Sequence, residues 1–98
     1  MDKDEAREVL QGHLTPLRDL SYEELKARFL NKQEAFDTHG PSGAWYQLEI
    51  QGFWDDRRGG NLRILGSIDD GGWRAFSPLT DSFIMAPDGS FIGEDPRE

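Results

Sequence analysis

Aspartates in short polar segments between strand-like runs are the residues of this sequence that come nearest to forming a chemical site. If the runs pair as an antiparallel meander, alternate turns lie at the same end of the sheet, and the aspartates fall into two groups. Several carboxylate oxygens at one point can hold Ca²⁺ or Mg²⁺, so each group is a candidate ion site. One group is Asp55, Asp56 and Asp81, and the other is Asp69, Asp70 and Asp88.

A structural role is the stronger interpretation of these aspartates. Asp is common in turns because its carboxylate accepts hydrogen bonds from nearby backbone amides. Neither group follows the ligand spacing of an EF-hand loop. We therefore predict no bound metal and no cofactor, and a small metal- or ligand-binding enzyme is the alternative function.

Nucleophilic and zinc chemistry have few residues available in this chain. It contains no cysteine and two histidines. His13 falls on an apolar helical stripe and His39 lies beside a turn, whereas zinc sites use three or four ligands at recognisable spacing. Helix caps, turns and strands account for most of the serines. We predict no catalytic residues and a protein that is not an enzyme.

The turn DDRRGG carries Arg57 and Arg58 as a basic tip on an acidic chain. Guanidinium groups bind carboxylates and phosphates in a bidentate manner. The glycines of the turn match neither of the phosphate-binding patterns GxGxxG and GxxxxGK[ST]. Among the loops, this turn is our first candidate for a contact site.

Two amphipathic helices are predicted at the start of the chain, over about residues 2–14 and 22–30. In the first, apolar residues recur at helical spacing, and Thr15-Pro16 should end the helix. In the second, Ser21 and Glu24 form a capping box at the start, and Asn31 is expected to end the helix.

The chain from about residue 34 to residue 94 alternates strand-like runs with turn signals. Residues 34–39 predict an edge strand, and the later runs are WYQLEIQGFW, NLRILGSI, WRAFSPL, SFIMA and FIG. Asp70-Gly71 predicts a two-residue hairpin turn. Thr80-Asp81 predicts a corner between two strands, and Pro87-Asp88-Gly89 predicts a type I turn.

Apolar and polar residues alternate from Tyr46 to Trp54, which indicates that one face of the sheet is covered and the other is wetter. The two helices are the only candidates for the cover. The sequence therefore predicts an α+β fold in a single domain, residues 1–98. In this fold the two N-terminal helices pack on one face of a five- or six-stranded antiparallel meander.

The wetter face of the sheet is predicted to carry several large apolar residues among charged ones. Apolar patches of this kind mark protein interfaces. The expected partner is another protein chain, or a second copy that forms a homodimer. The predicted interface residues are Trp45, Phe53, Leu65 and Phe76, with Arg57, Arg58 and Arg74 beside them.

Composition narrows the range of partners further. The net charge is −8, from 19 acidic and 11 basic residues, and an acidic surface repels phosphate backbones. We therefore predict no nucleic-acid partner. The opening MDKDEAREVL lacks the apolar core of a signal peptide, and no run is long enough to span a bilayer. These features predict a cytoplasmic protein without a membrane partner.

The segment IDDGGWRAFSPLTDSFIMAPDGSFIGE, with GPSG, YQLEIQ and FWDD before it, resembles a small bacterial family of about this length, a domain of unknown function. The resemblance covers nearly everything after residue 20. It implies a bacterial origin and a stand-alone domain but no activity, so no catalytic residues can be carried over from it. We predict a non-enzymatic protein-interaction module of a bacterial cytoplasmic assembly or of an immunity-like system.

Overall fold

A computed structural model describes residues 1–72 and 78–94 of the chain. Helix α1 is Lys3–Leu14, and its start is fixed by the Asp2 carboxylate, which accepts hydrogen bonds from the amides of Asp4 and Glu5. The predicted end of this helix at Leu14 is confirmed. The chain then continues as one short 3₁₀ segment, Thr15–Asp19, which the sequence analysis did not predict.

Helix α2 is Tyr22–Phe29, and the predicted capping box at its start is confirmed. The Ser21 hydroxyl accepts a hydrogen bond from the Glu24 amide, and the Glu24 carboxylate accepts one from the Ser21 amide. Asn31 has a φ of 56°, a left-handed conformation that asparagine tolerates better than most residues. This turn directs the chain from α2 into the first strand.

In the described part of the chain, four antiparallel strands follow, in the spatial order β1-β2-β3-β4. Their bounds are β1 Gln33–His39, β2 Trp45–Trp54, β3 Leu62–Asp69 and β4 Leu79–Met85. The α+β class, the two helices and the edge position of β1 are therefore as predicted. The helices pack on one face of the sheet, with α1 mainly against β3 and β4 and α2 mainly against β2.

The core lies between the helices and the alternating residues of the strands that face them. The predicted orientation of β2 is confirmed, because Tyr46, Leu48 and Ile50 are buried while Gln47 is exposed. Phe83 and Met85 extend the same layer on β4. Among the described residues, those buried in this core are Ala6, Leu10, Leu14, Leu17, Tyr22, Leu25, Phe29, Tyr46, Leu48, Ile50, Leu62, Ile64, Ile68, Phe83 and Met85.

Two glycines on adjacent strands lie in close contact with residues of the helices. A Cβ on Gly52 would lie 2.9 Å from the Phe29 Cβ of α2, and one on Gly66 would lie 2.8 Å from a methyl carbon of Leu10 on α1. The absence of a side chain at these positions lets each helix approach the sheet directly.

The prediction of five or six strands was wrong, and the difference lies in the last third of the chain. Thr80 and Asp81 do not form a corner, because both belong to the continuous strand β4. The run FIG is not a strand of the sheet; it contributes an isolated bridge between Phe91 and Met85 and one hydrogen bond from the Ile92 amide to the Ile84 carbonyl. Four strands therefore make up the sheet of the described residues.

The prediction of a two-residue hairpin at Asp70-Gly71 was also wrong. In the observed register the partner of Ile68 is Leu79, so a two-residue turn at Asp70-Gly71 does not lead β3 into its paired strand. The predicted strand WRAFSPL falls mostly on residues 73–77, which lie outside the described residues.

Candidate protein-binding face

The sheet face opposite the helices, here called the open face, is lined by alternate residues of all four strands. The register places these side chains in rows that cross the sheet. None of the described residues forms a second layer over this face. Its members are Gln33, Ala35, Asp37, His39, Trp45, Gln47, Glu49, Gln51, Phe53, Arg63, Leu65, Ser67, Asp69, Thr80, Ser82 and Ile84.

Three apolar side chains at one end of the open face, Phe53, Leu65 and Ile84, form what we call the Phe53 patch. Phe53 pairs with Arg63, and Arg63 pairs with Ile84 on the next strand. Leu65 is the diagonal neighbour of both Phe53 and Ile84, a separation at which long side chains still meet. Phe53 is 36% exposed and the other two are half-buried.

Arg63 lies at the centre of this patch and is held on both sides. Its Nε and one terminal nitrogen lie 3.0 and 2.8 Å from the Asp55 carboxylate, and its other terminal nitrogen donates to the Ser82 hydroxyl at 2.9 Å. The guanidinium group thus connects the end of β2 to the middle of β4. A cation fixed in this way loses little rotamer freedom when a partner binds.

The turn with Arg57 and Arg58 lies beside the Phe53 patch, at the same end of the sheet. Both arginines are exposed. The turn is tied to α2, because the buried Tyr22 hydroxyl donates to the Gly60 carbonyl at 2.7 Å. It is closed by bonds from the Gly60 amide to Arg57 and from the Asp55 amide to Asn61. The two guanidinium groups therefore stand on an anchored turn.

The structure does not bring Trp45 together with Phe53 and Leu65. Trp45 is 65% exposed and lies at the opposite end of β2, where its ring meets His39 at 5.2 Å between centroids. Polar side chains of β2 separate it from Phe53. The other two predicted interface residues, Arg74 and Phe76, lie outside the described residues.

Ile84 is the member of the patch that sequence reasoning missed. The predicted corner at Thr80-Asp81 left the facing of the following strand undetermined. A signal was present, because Phe83 and Met85 alternate with Ser82 and Ile84 as in a strand covered on one side.

The two predicted groups of aspartates do not assemble. Asp81 lies in the middle of β4 on the helix-facing side, where its carboxylate contacts the side-chain amide of Gln11. Asp88 follows Met85, at the end of the sheet that holds Asp55 and Asp56 and not at the end that holds Asp69. Within residues 1–72 and 78–94, no three His, Asp or Glu side chains are arranged to hold a metal ion.

The turn aspartates accept hydrogen bonds from backbone amides of their own turns. Asp69 and Asp70 accept hydrogen bonds from the amides of Gly71 and Gly72, at 2.8 and 3.1 Å. The Asp88 carboxylate accepts bonds from the Ser90 amide and hydroxyl, which lower its pKa. These contacts are those of turn formation.

A perturbed pair of titratable groups lies away from the open face, where α1 meets the β1–β2 turn. The Glu5 carboxylate accepts hydrogen bonds from the Tyr46 hydroxyl at 2.5 Å, and from the Ser42 amide and hydroxyl at 2.8 and 2.9 Å. These bonds, that from Tyr46 first, lower the pKa of Glu5. Burial, together with the bond to Glu5, raises the pKa of Tyr46 to about 12.

Comparison with known proteins gives no matching family model, no similar curated protein and no similar solved structure. The resemblance to a bacterial family therefore stays a prediction. No helix in the described part of the chain is both long and apolar enough to cross a membrane.

Proposed function

We propose that this chain is a non-enzymatic protein-interaction module that binds its partner through the Phe53 patch. The observation that carries the proposal is an aromatic side chain, 36% exposed, beside two apolar neighbours on a sheet face without a described cover. Contact of these groups with water is unfavourable, and a partner that covers them gains the free energy of their burial.

The composition of the patch supports this proposal. Aromatic residues and arginine are enriched at protein interfaces and carry much of their binding energy. Here Phe53 is next to Arg63, and Arg63 is already held by Asp55 and Ser82. The group that a partner would contact is thus ordered before binding.

The expected partner is a protein chain with apolar side chains for the patch and carboxylates for Arg57 and Arg58 at its rim. Exposed arginines on an anchored turn bind carboxylates in a bidentate manner. Such rim charges change the association rate more than the final affinity. We propose that the partner belongs to a bacterial cytoplasmic assembly or to an immunity-like pair.

Affinity capture from an extract of the source cell, followed by calorimetry with the purified partner, tests the proposal. The double variant Phe53→Ser with Leu65→Ser should fold and lose binding. Trp45→Ser is the matched control, since it removes an exposed aromatic from the opposite end of the same face and should bind as the wild type does. Equal affinity of the double variant and the control would contradict the proposal.

A further inference from the structure

We propose that strand β1 is also a dimerisation edge, at which it pairs antiparallel with β1 of a second copy of this chain. The proposal is independent of the Phe53 patch, since it concerns backbone groups at the β1 edge, whereas the patch consists of side chains on the open face of β2, β3 and β4. It starts from the hydrogen-bonding groups that β1 directs away from β2.

The hairpin between β1 and β2 shows which groups those are. The Gly40 amide donates to the Ala44 carbonyl across the hairpin, so residue 40 directs its groups towards β2. The direction of the backbone N–H and C=O groups alternates along an antiparallel strand. These groups therefore point towards β2 at residues 34, 36 and 38, and away from β2 at residues 33, 35, 37 and 39. Within residues 1–72 and 78–94, no hydrogen bond reaches these outward groups.

The other edge strand of the sheet, β4, does have a hydrogen bond to its outward backbone groups. The outer edge of β4 is partly covered, because Ile92 donates its amide to the Ile84 carbonyl and Phe91 bridges to Met85. Natural edges are protected by covering segments, bulges, proline or charged side chains, lysine above all, and β1 holds Glu34 and Asp37 but neither proline nor lysine. β1 has the sequence QEAFDTH and pairs with β2 through seven consecutive residues, without a bulge.

One symmetric register suits a second copy best. With Phe36 on the two-fold axis, Ala35 faces Asp37 of the second copy, Glu34 faces Thr38 and Gln33 faces His39. All seven residues pair, and the outward groups form about eight backbone hydrogen bonds. Centring on Glu34 or Asp37 would place like charges directly opposite each other, which is unfavourable. Centring on Ala35 would pair fewer residues of the strand.

The side chains near the axis fit this arrangement. Phe36 is only half-buried in the monomer, with its ring 5.1 Å from that of His13, and the second Phe36 would cover it further. At a non-hydrogen-bonded central pair the two side chains lie closest together. The nearby carboxylate of Glu34 is already paired with Arg28, at 2.7 Å.

The dimer is expected to be weak and to strengthen with salt. A single pair of edge strands contributes less area than the roughly 1,200–2,000 Å² of a stable interface. Each chain carries a net charge of −8, so the copies repel each other until salt screens the charge.

Sedimentation equilibrium on four variants tests the register. Ala35→Asp places a carboxylate opposite Asp37 of the second copy twice in each dimer, and Ala35→Lys places an ammonium group there. Ala27→Asp and Ala27→Lys are matched controls, because Ala27 is an exposed alanine on α2 and the change of net charge is the same.

We expect Ala35→Asp to dimerise about two- to thirtyfold more weakly than Ala27→Asp, and Ala35→Lys to dimerise more tightly than Ala27→Lys by a similar factor. Because the aspartate and lysine variants should change dimer affinity in opposite directions, either one still tests the proposal if the other folds poorly. The Phe53→Ser, Leu65→Ser variant should dimerise as the wild type does, so failure of one proposal leaves the other testable. Equal behaviour of the Ala35 and Ala27 variants, or a wild type that stays monomeric at high concentration and high salt, would overturn the proposal.

Discussion

Glu5 connects helix α1 to the β1–β2 turn through two hydrogen bonds from Ser42, and to the start of β2 through one from Tyr46. The fit is close, since a Cβ on Gly40 would lie 2.6 Å from the Glu5 carboxyl carbon. The sequence did not predict this contact. It joins residues far apart in the chain, whereas helical and strand periodicity report only on near neighbours.

The Tyr46 hydroxyl makes the stability of the fold sensitive to alkaline pH. Its pKa is raised from 10.0 to about 12, so the stabilisation is complete below pH 10 and is lost as pH rises through about 12. Denaturant melts over this range should show a loss of unfolding free energy in the wild type that is absent in Tyr46→Phe. Tyr22→Phe, which keeps Tyr46, should retain the loss. A Tyr46→Phe profile that falls like the wild type would contradict this assignment.

At the scale of elements, Gly52 and Gly66 leave room on the sheet for residues of α2 and α1. The atoms that an added Cβ would contact differ between the two glycines. At Gly52 they include the Cβ and carbonyl carbon of Phe29, which are fixed to the backbone, whereas at Gly66 they are the methyl ends of Leu10 and Leu14. Substitution at Gly52 should therefore be the more damaging.

Gly52→Ala should destabilise the protein by about 1–3 kcal/mol, because α2 must move away from β2 to admit the methyl group. Gly12→Ala is the matched control, since nothing lies within 4 Å of its Cβ position on α1. The control should stabilise the protein by about 0.4–1 kcal/mol, because alanine restricts the unfolded chain. Thermal or urea melts of both variants measure the contrast, and equal effects would mean that α2 is not in close contact with the sheet.

The sequence predicted the elements whose signals are local. Ser21 and Glu24 located the start of α2, and the alternation from Tyr46 to Trp54 gave the facing of β2. The prediction failed where the pairing between strands, and not the local sequence, decides the structure. Thr80 and Asp81 read as a corner, yet they lie inside β4 because that strand pairs with β3 from Leu79 onward. Because of the same error, Ile84 was left out of the predicted interface.

At the scale of the whole molecule, one core between the helices and one face of the sheet should carry most of the stability. Ile64 is 0% exposed, and Ile64→Ala should cost about 2–5 kcal/mol. Gln47→Ala, on the open face, should change the unfolding free energy by no more than about 0.5 kcal/mol. Chemical denaturation of both variants checks the ranking, and the reverse order would contradict the facing of the sheet.

The packing of α1 against β3 and β4 has a consequence for synthesis on the ribosome. This helix is made early, but the strands that cover its buried residues Ala6, Leu10 and Leu14 are made only after α2, β1 and β2. Contacts between segments so distant in the chain form slowly, and apolar surface stays exposed until they do. A nascent chain that stalls before Leu79 should therefore depend on chaperones to avoid aggregation.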